Sequence, residues 1–256
     1  MNKTPEINAM RRKERLIRVL FVLATLVLVA SFLAFCRIKT VTVDGNVYTK
    51  TEDILSSASI KIKSHIYSID KDAIEAKIKS TNPYVTSVLI RRKFPSTLRL
   101  IITEDKPLFY SLIGESFYVI SYDLRVLETA ETPNEFSSRG LTPLILPEVK
   151  KAELGKKLVF ASDSDYEKNT AIIHAVMSSS MAENITSVDI SSRFNINIMY
   201  KSKYTVVFGN AEGMEKKLSF CIKTIKYLEE TMPGVSGVIH AEKTDETSFE
   251  ITGTVG

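Results

Sequence analysis

The chain has 256 residues, of which 25% are charged and 44% hydrophobic; these ordinary fractions exclude a disordered tail, a collagen-like repeat and a multi-span membrane protein. Two cysteines are too few for a disulfide scaffold, a multi-cysteine zinc site or an iron–sulfur cluster. The net charge of +4 arises in residues 1–18, which hold six Lys/Arg and two Glu, and the rest of the chain is neutral. This is weak evidence for a nucleic-acid-binding surface, so we expect no nucleic acid as a partner.

An uncharged apolar run covers residues 19–36, VLFVLATLVLVASFLAFC. At about 1.5 Å per residue, a helix of this length nearly crosses a hydrocarbon core of about 30 Å. The alternative is a cleaved signal peptide, whose apolar region is usually about 7–15 residues long and ends at a small-x-small site. Here the run is longer and ends with Phe35 and Cys36. We therefore predict a retained transmembrane helix over 19–36.

Basic residues at 11–13 and 15 precede this run, which predicts a cytoplasmic N-terminus with residues 1–18 as a basic tail. Arg37 and Lys39 on the far side weaken the charge asymmetry without reversing it. The rest of the chain is then extracytoplasmic, as in a single-pass type II membrane protein.

Residues 37–107 predict a β-α-α-β-β domain. A strand is expected over 38–43, followed by a short helix with Thr51 as its N-cap and a second helix over 71–80 capped by Asp70. Strands over 85–92 and 97–103 flank a turn at 94–96, and Glu104-Asp105 is expected in an exposed loop. The expected core comprises Val41, Val43, Ile74, Ile78, Val88, Ile90, Leu98 and Leu100.

Four segments in this domain carry a family resemblance: Val41-x-Val43-Asp44-Gly45-Asn46, Asn82-Pro83-Tyr84-Val85, Arg91-Arg92-Lys93-Phe94-Pro95-Ser96-Thr97-Leu98 and Glu104-Asp105-Lys106-Pro107. In this order, directly after an anchor, they resemble the POTRA domain of the FtsQ/DivIB bacterial cell-division proteins. Asp105 departs from the pattern, because the family more often has Arg there.

Residues 108–256 predict a second domain with a mixed β-rich sheet and two helices, which resembles the second domain of the same family. A hairpin over 117–122 and 125–127 turns at Asp123-Leu124, and residues 129–142 predict a loop. Further predicted elements are a helix over 163–181, strands over 185–190, 196–200 and 204–208, a helix over 213–230, and strands over 235–241 and 248–252. The predicted fold class is therefore α+β: a transmembrane helix, a POTRA-like domain and this second domain.

Charge divides between the two domains. Residues 37–107 carry 13 basic and 8 acidic residues, whereas residues 108–256 carry 15 and 20. A positive membrane-proximal domain would be attracted to anionic lipid headgroups or to acidic cell-wall polymers. An ordinary solvated surface is the alternative.

Residues suited to catalysis are few. His65, His174 and His240 have no metal-ligand spacing, so we expect no metal and no cofactor, and we expect His174 to be a partly buried structural residue. Three other groups are interpreted as helix ends and not as catalytic residues. Ser68-Ile69-Asp70-Lys71 matches S-x-x-K, but the partner motifs of that pattern are absent. The other two are Ser178-Ser179-Ser180 and the pair Asp163 and Asp165. Cys36, at the membrane edge, and Cys221 are not expected to pair.

The resemblance implies a non-enzymatic scaffold that binds two small bitopic division proteins, FtsB/DivIC and FtsL, at the division septum and helps control septal peptidoglycan synthesis. A membrane-anchored cell-wall hydrolase or transferase is the alternative, and it would need a convergent catalytic pair. A POTRA-type chaperone of outer-membrane insertion is disfavoured, because such domains usually precede a β-barrel and the sequence leaves no room for one.

The predicted partner site is the terminal strand with His240, Phe249, Glu250, Ile251 and Thr252. A terminal strand is often an edge strand, whose unpaired N–H and C=O groups a partner can complete. The resemblance implies that the partner binds through the last strands of the second domain. If Phe249 and Ile251 pack inward, backbone pairing would supply affinity, and Glu250, Thr252 and His240 would tune specificity. Alternatively the strand merely closes the sheet and residues 253–256 are a frayed tail.

Overall fold

The computed structural model describes residues 4–132, 134–162 and 165–254. It divides into two compact units, Met1–Glu104 and Asp105–Gly256. The first contains a long helix, two short helices and a three-stranded sheet, and the second contains a nine-stranded sheet, a two-stranded sheet and further helices. The α+β class predicted from the sequence is confirmed.

Helix α1, Thr4–Phe35, is the one helix in the described part of the chain that is long and apolar enough to cross a membrane, over Lys13–Phe32. Its apolar side chains are not covered by protein: Phe21 is 74% exposed and Leu28 is 71% exposed. An apolar helix without protein cover is typical of a segment that lies in lipid. The structure is thus consistent with the predicted anchor.

Cys36 corrects the sequence analysis, which placed this residue at the membrane edge. It is fully buried in the core of the first unit. Its C=O accepts the N–H of Ile66 at 2.9 Å, and the next buried residue, Ile38, donates to Ser64 and accepts from Lys63. An apolar residue directly after an apolar helix looks like part of that helix, so the sequence does not show that Cys36 belongs to the core of the next domain.

The first unit folds as β-α-α-β-β, in the predicted order. Strands β1 (Thr40–Asp44), β2 (Val85–Lys93) and β3 (Thr97–Glu104) form a sheet in the order β1-β3-β2, in which β3 is parallel to β1 and antiparallel to β2. Helices α2 (Thr51–Ala58) and α3 (Lys71–Thr81) lie between β1 and β2 in the chain. Strand β3 is therefore the central strand and pairs with a neighbour on each side.

The two helix starts differ in how well the sequence predicts them. Asp70 caps α3, because its carboxylate accepts the N–H of Ala73 at 3.1 Å. The expected cap of α2 is wrong: Thr51 is the first helical residue, and Lys50 stands at the cap without a side-chain hydrogen bond. The Thr51 hydroxyl instead accepts from Asn46 Nδ2 at 3.2 Å.

Five of the eight expected core residues are buried: Ile78, Val88, Ile90, Leu98 and Leu100. The other three, Val41, Val43 and Ile74, are partly buried and pack against that core. The core also contains Cys36, Ile38, Ile54, Ala58, Ile66, Val85 and Ile102. The predicted buried face of β3 is thus confirmed. Of the additional residues, Cys36, Ile38 and Ile66 lie in segments between elements, and the other four lie on α2, β2 and β3.

Glu104 is not the exposed loop residue that the sequence suggested. It ends β3, and its carboxylate accepts the backbone N–H groups of Val47, Tyr48 and Thr49 at 2.6, 2.7 and 2.9 Å. The same loop contains Gly45 at φ +88°, where an added Cβ would lie 2.4 Å from the C=O oxygen of Ile102. Glycine and this carboxylate together hold the loop after β1 against the end of β3.

The second unit is built on nine strands in the spatial order β14-β13-β12-β11-β10-β7-β4-β5-β6. In chain order these are β4 (Pro107–Ile113), β5 (Ser116–Ser121), β6 (Val126–Ala130), β7 (Thr142–Ile145), β10 (Ile185–Asp189), β11 (Ile196–Tyr200), β12 (Tyr204–Gly209), β13 (Val235–His240) and β14 (Ser248–Thr254). Strands β8 (Val149–Lys151) and β9 (Val159–Phe160) form a separate antiparallel pair. The strands after residue 185 lie close to their predicted positions.

Two strands of this sheet, β4 and β7, were not predicted from the sequence. The buried face of β4 carries Pro107, Phe109 and Ser111. Because two of these three residues are not typical apolar strand residues, the sequence lacks the apolar alternation that predicts a strand. Strand β7 begins at Thr142, the last residue of the predicted 129–142 loop. It includes Pro143, and a proline argues against an interior strand. Both are interior strands of the sheet, and they pair parallel to each other.

Helices α4 (Asn134–Ser137), α5 (Asp165–Met177) and α6 (Met214–Thr231) complete the second unit, with a 3₁₀ turn at Ala182–Asn184. The helical period over 213–230 predicts one apolar face, with either Cys221 or Ile222 as a member. That face is buried, and Cys221 is the fully buried one of the two; its other members are Met214, Leu218, Ile225 and Leu228. Helix α5 ends before the predicted 181, so Ser178 to Ser180 follow the helix.

Asp105 also differs from the exposed loop residue that we expected. It pairs with Arg125 at 3.1 Å, and both side chains are largely buried. Arg125 also donates to the C=O of Gly155 at 2.8 Å. Burial raises the pKa of Asp105, Arg125 opposes this shift, and the nearby Asp123 adds to it. Asp105 and Arg125 therefore form a largely buried, structural ion pair.

Candidate partner-binding edge

Strand β14 is one edge of the nine-stranded sheet, and in the described part of the chain its neighbour is β13 alone. The antiparallel pairing runs from Val235 opposite Thr254 to His240 opposite Ser248. An edge strand directs every second N–H and C=O away from the sheet, so one side of β14 offers unpaired backbone groups. The expectation that the terminal strand is an edge strand is confirmed.

Phe249 attaches β14 to the sheet. Its ring is half-buried and packs against the core, with its centroid 6.1 Å from that of Tyr204 in an edge-to-face arrangement. The ring also lies over Gly237 of β13, where an added Cβ would approach it to 2.6 Å. We did not predict roles for Tyr204 or Gly237. A glycine inside a strand often marks a place where another group lies close to the backbone, so Gly237 was the available signal.

Ile251 is not packed inward with Phe249, contrary to the possibility raised from alternation alone. It is 58% exposed. The register shifts between Ser236 and Gly237, so that Gly237 faces Ile251 whereas Ser236 faces Gly253. This bulge places Thr252 between the paired positions, and Glu250, Ile251 and Thr252 are all exposed.

His240 lies beside the edge on β13, between two carboxylates. Its Nδ1 is 3.2 Å from Glu242 Oε1, and its Nε2 is 3.6 Å from Glu250 Oε2. The structure therefore brings together His240 and Glu250, which we predicted as site residues, and adds Glu242 to them. The imidazole and the two carboxylates form a polar surface next to exposed Ile251.

Helix α6 contacts the loop of this hairpin and is itself fixed to the end of β12. Thr224 of α6 contacts Thr247 through their hydroxyls at 2.7 Å. Lys217, which is 1% exposed, donates to the C=O groups of Phe208 and Asn210, both at 2.9 Å. Burial lowers the pKa of Lys217, and Glu212 and Glu242 oppose this shift. The edge is thus presented by a braced hairpin and not by a free tail.

His174 is partly buried, as expected. Its ring stacks on Tyr122 at 4.1 Å, and its Nε2 is 2.9 Å from Asp123 Oδ1. Ser178 contacts the Tyr122 hydroxyl at 3.0 Å, so the hydroxyl of this serine pairs with a phenol and not with the imidazole. These contacts join α5 to the β5–β6 turn and do not form a nucleophile–base pair.

The other residues considered for catalysis have structural roles in the described part of the chain. Ser68 donates to the C=O of His65, and Asp165 is the first residue of α5; Asp163 lies outside the described residues. Cys36 and Cys221 are both buried and free, and burial raises the pKa of the Cys221 thiol to about 12. Within the described ranges, no three His, Cys, Asp or Glu side chains are grouped so that they could hold a metal ion.

Comparisons with known proteins match both units. The family model described as "POTRA domain, FtsQ-type" matches residues 36–105. The cell division protein DivIB of Clostridium botulinum (strain Hall) is 29% identical over 84% of this chain and 82% of that protein. DivIB of Clostridium acetobutylicum is 26% identical over 75% of each, and FtsQ of Streptomyces venezuelae is 23% identical over 76% of this chain and 71% of that protein.

Proposed function

With an FtsQ-type POTRA domain and similarity to DivIB and FtsQ over most of its length, the chain belongs to the FtsQ/DivIB family of cell division proteins, and we propose that it is a non-enzymatic scaffold of the division machinery. In this proposal it is anchored in the cell membrane at the septum and binds the small bitopic division proteins FtsB/DivIC and FtsL. Through them it helps control septal peptidoglycan synthesis.

The observation that carries the proposal is the open edge of β14. A partner strand that pairs with β14 would satisfy the outward N–H and C=O groups and extend the nine-stranded sheet. Backbone pairing of this kind supplies affinity for almost any extended segment. Specificity would then come from the exposed side chains of Glu250, Ile251 and Thr252 and from the adjacent His240.

We expect Ile251→Lys to weaken binding of the DivIC/FtsB-like partner by about tenfold or more, because a charge on an edge strand disfavours the addition of another strand. Ile251 is 58% exposed, so the change leaves the core intact. The measurement is the affinity of the full chain in lipid nanodiscs for the partner protein.

Leu112→Lys is the matched control. Leu112 is 57% exposed on β4, an interior strand, so this variant makes the same kind of change away from an open edge. It should bind the partner as the unaltered chain does. Equal affinity of the unaltered chain and the Ile251 variant would place the binding site elsewhere, with the positively charged first unit as the next candidate.

The proposed topology has residues 1–18 in the cytoplasm and both units outside. Protease added to intact protoplasts is therefore expected to degrade the chain after Lys39 and to leave the N-terminal tail and α1 protected. Immunoblotting with tags at each end distinguishes the two parts. A mature protein that begins after Cys36 would contradict the retained anchor, and full protection of the C-terminal tag would contradict the orientation.

A further inference from the structure

Helix α1 enters the first unit without a linker. It ends at Phe35, and the next residue, Cys36, is already fully buried in the core of that unit. Backbone hydrogen bonds fix this exit: Cys36 accepts from Ile66, and Ile38 donates to Ser64 and accepts from Lys63. If α1 crosses the membrane as proposed, the surface of the first unit around the exit has to lie against the membrane, because no chain is left over to separate them.

Direct contacts between the helix end and the first unit support this placement. The ring of Phe94, in the β2–β3 turn, stacks on Phe32 of α1 with 5.7 Å between centroids. Lys39 lies over the Phe35 ring at 5.0 Å, and its N–H donates to the C=O of Ser96 in the same turn at 2.8 Å. Phe94 therefore lies at the level of the last apolar turn of the anchor, although it is 60% exposed to water in the free chain.

The residues around the exit carry charge of one sign. We call residues 35–39, 61–67 and 91–97 the collar; it holds seven Lys/Arg and no Asp or Glu, namely Arg37, Lys39, Lys61, Lys63, Arg91, Arg92 and Lys93. All seven are exposed, and no ion pair engages any of them in the described part of the chain. The collar also presents Tyr67, which is 58% exposed beneath the Arg92 guanidinium.

We propose that the collar is a lipid-binding surface, which seats Phe94 and Tyr67 at the membrane interface and binds anionic phospholipid headgroups through its basic side chains. Aromatic rings favour the boundary between acyl chains and headgroups, and each Lys or Arg near an anionic surface adds to the electrostatic attraction. The first unit would then be held against the bilayer at its β2–β3 turn, with the opposite end of its sheet directed away. The proposal rests on the membrane anchoring proposed above.

The chain contains no tryptophan, so a single introduced indole reports its own depth. We would place the full chain in nanodiscs whose acyl chains carry bromine, which quenches tryptophan by contact, and compare three variants. Phe94→Trp tests the collar, and Phe21→Trp tests insertion of α1. Val47→Trp is the distant control: Val47 is 79% exposed and follows the five-residue strand β1, which leads roughly 16 Å away from the exit.

The expected result is strong quenching at positions 21 and 94 and none at 47. With anionic phosphatidylglycerol in the nanodisc, quenching at 94 should exceed that in pure phosphatidylcholine, and the added change Arg91→Glu with Lys93→Glu should remove the difference. Position 94 without quenching while position 21 is quenched would overturn the proposal, as would equal quenching at 94 in both lipids. An unquenched position 21 would instead overturn the anchor itself, and the collar with it.

Discussion

Leu100→Ala is expected to lower the free energy of unfolding of the first unit by about 2–5 kcal/mol, the usual loss when a buried leucine is truncated. Leu100 is fully buried on the central strand β3, opposite Val43 of β1 and Ile90 of β2. The resulting cavity would lie between both neighbouring strands and the helices that cover them. Because small domains are stable by only about 5–15 kcal/mol, this is a large fraction of the total.

Amide hydrogen exchange on the full chain measures the effect in each unit separately. Amides within 36–104 should exchange about 30-fold faster or more, whereas those of the second unit should be unchanged. Leu89→Ala is the matched control, because Leu89 lies on β2 of the same sheet but is 51% exposed. Similar exchange in the two variants would mean that β3 does not present Leu100 to the core.

The second large effect is expected for Gly237→Ala. The added Cβ would lie 2.1 Å from the C=O oxygen of Glu250 and 2.6 Å from the Phe249 ring, closer than atoms can approach. Strand β14 would have to move away from β13, which would displace the edge to which the partner is proposed to bind. We expect loss of exchange protection over 248–254 and at least about a tenfold loss of partner affinity.

Gly253→Ala, on β14 itself, provides the control. Its added Cβ would meet only the Ser236 hydroxyl, at 3.3 Å, so the hairpin can accept it with a small adjustment. This variant should keep both its exchange protection and its partner affinity. If the Gly237 variant lost its β14 protection but still bound the partner fully, the terminal strand would not be the binding site.

The sequence predicts the elements with a strong internal signal. Asp70 caps α3 as expected, the alternation of Leu98, Leu100 and Ile102 predicts the buried face of β3, and the period of α6 predicts its buried side. Each of these depends on residues a few positions apart, which interact within one element. Such local patterns remain visible in a single sequence.

The features that the sequence does not predict depend on contacts between distant segments. Cys36 looks like the end of the apolar helix, but backbone pairing with Ile66 draws it into a core. Asp105 looks exposed until Arg125, twenty positions later, pairs with it. Ile251 alternates with half-buried Phe249 but is exposed on the edge strand, and that edge position depends on the pairing of strands far apart in the sequence.

The exposed carboxylate of Glu250 has a further consequence for the chain on its own. An open edge strand can pair with the same strand of a second copy, which is a common route to aggregation. In an antiparallel pair of two β14 strands centred on Glu250, the two carboxylates would face each other directly, and like charges in that arrangement are destabilising. With its side chain 72% exposed, Glu250 has no apolar cover that would weaken this repulsion. A residue of the proposed partner site therefore also opposes the pairing of two copies of β14 in that register.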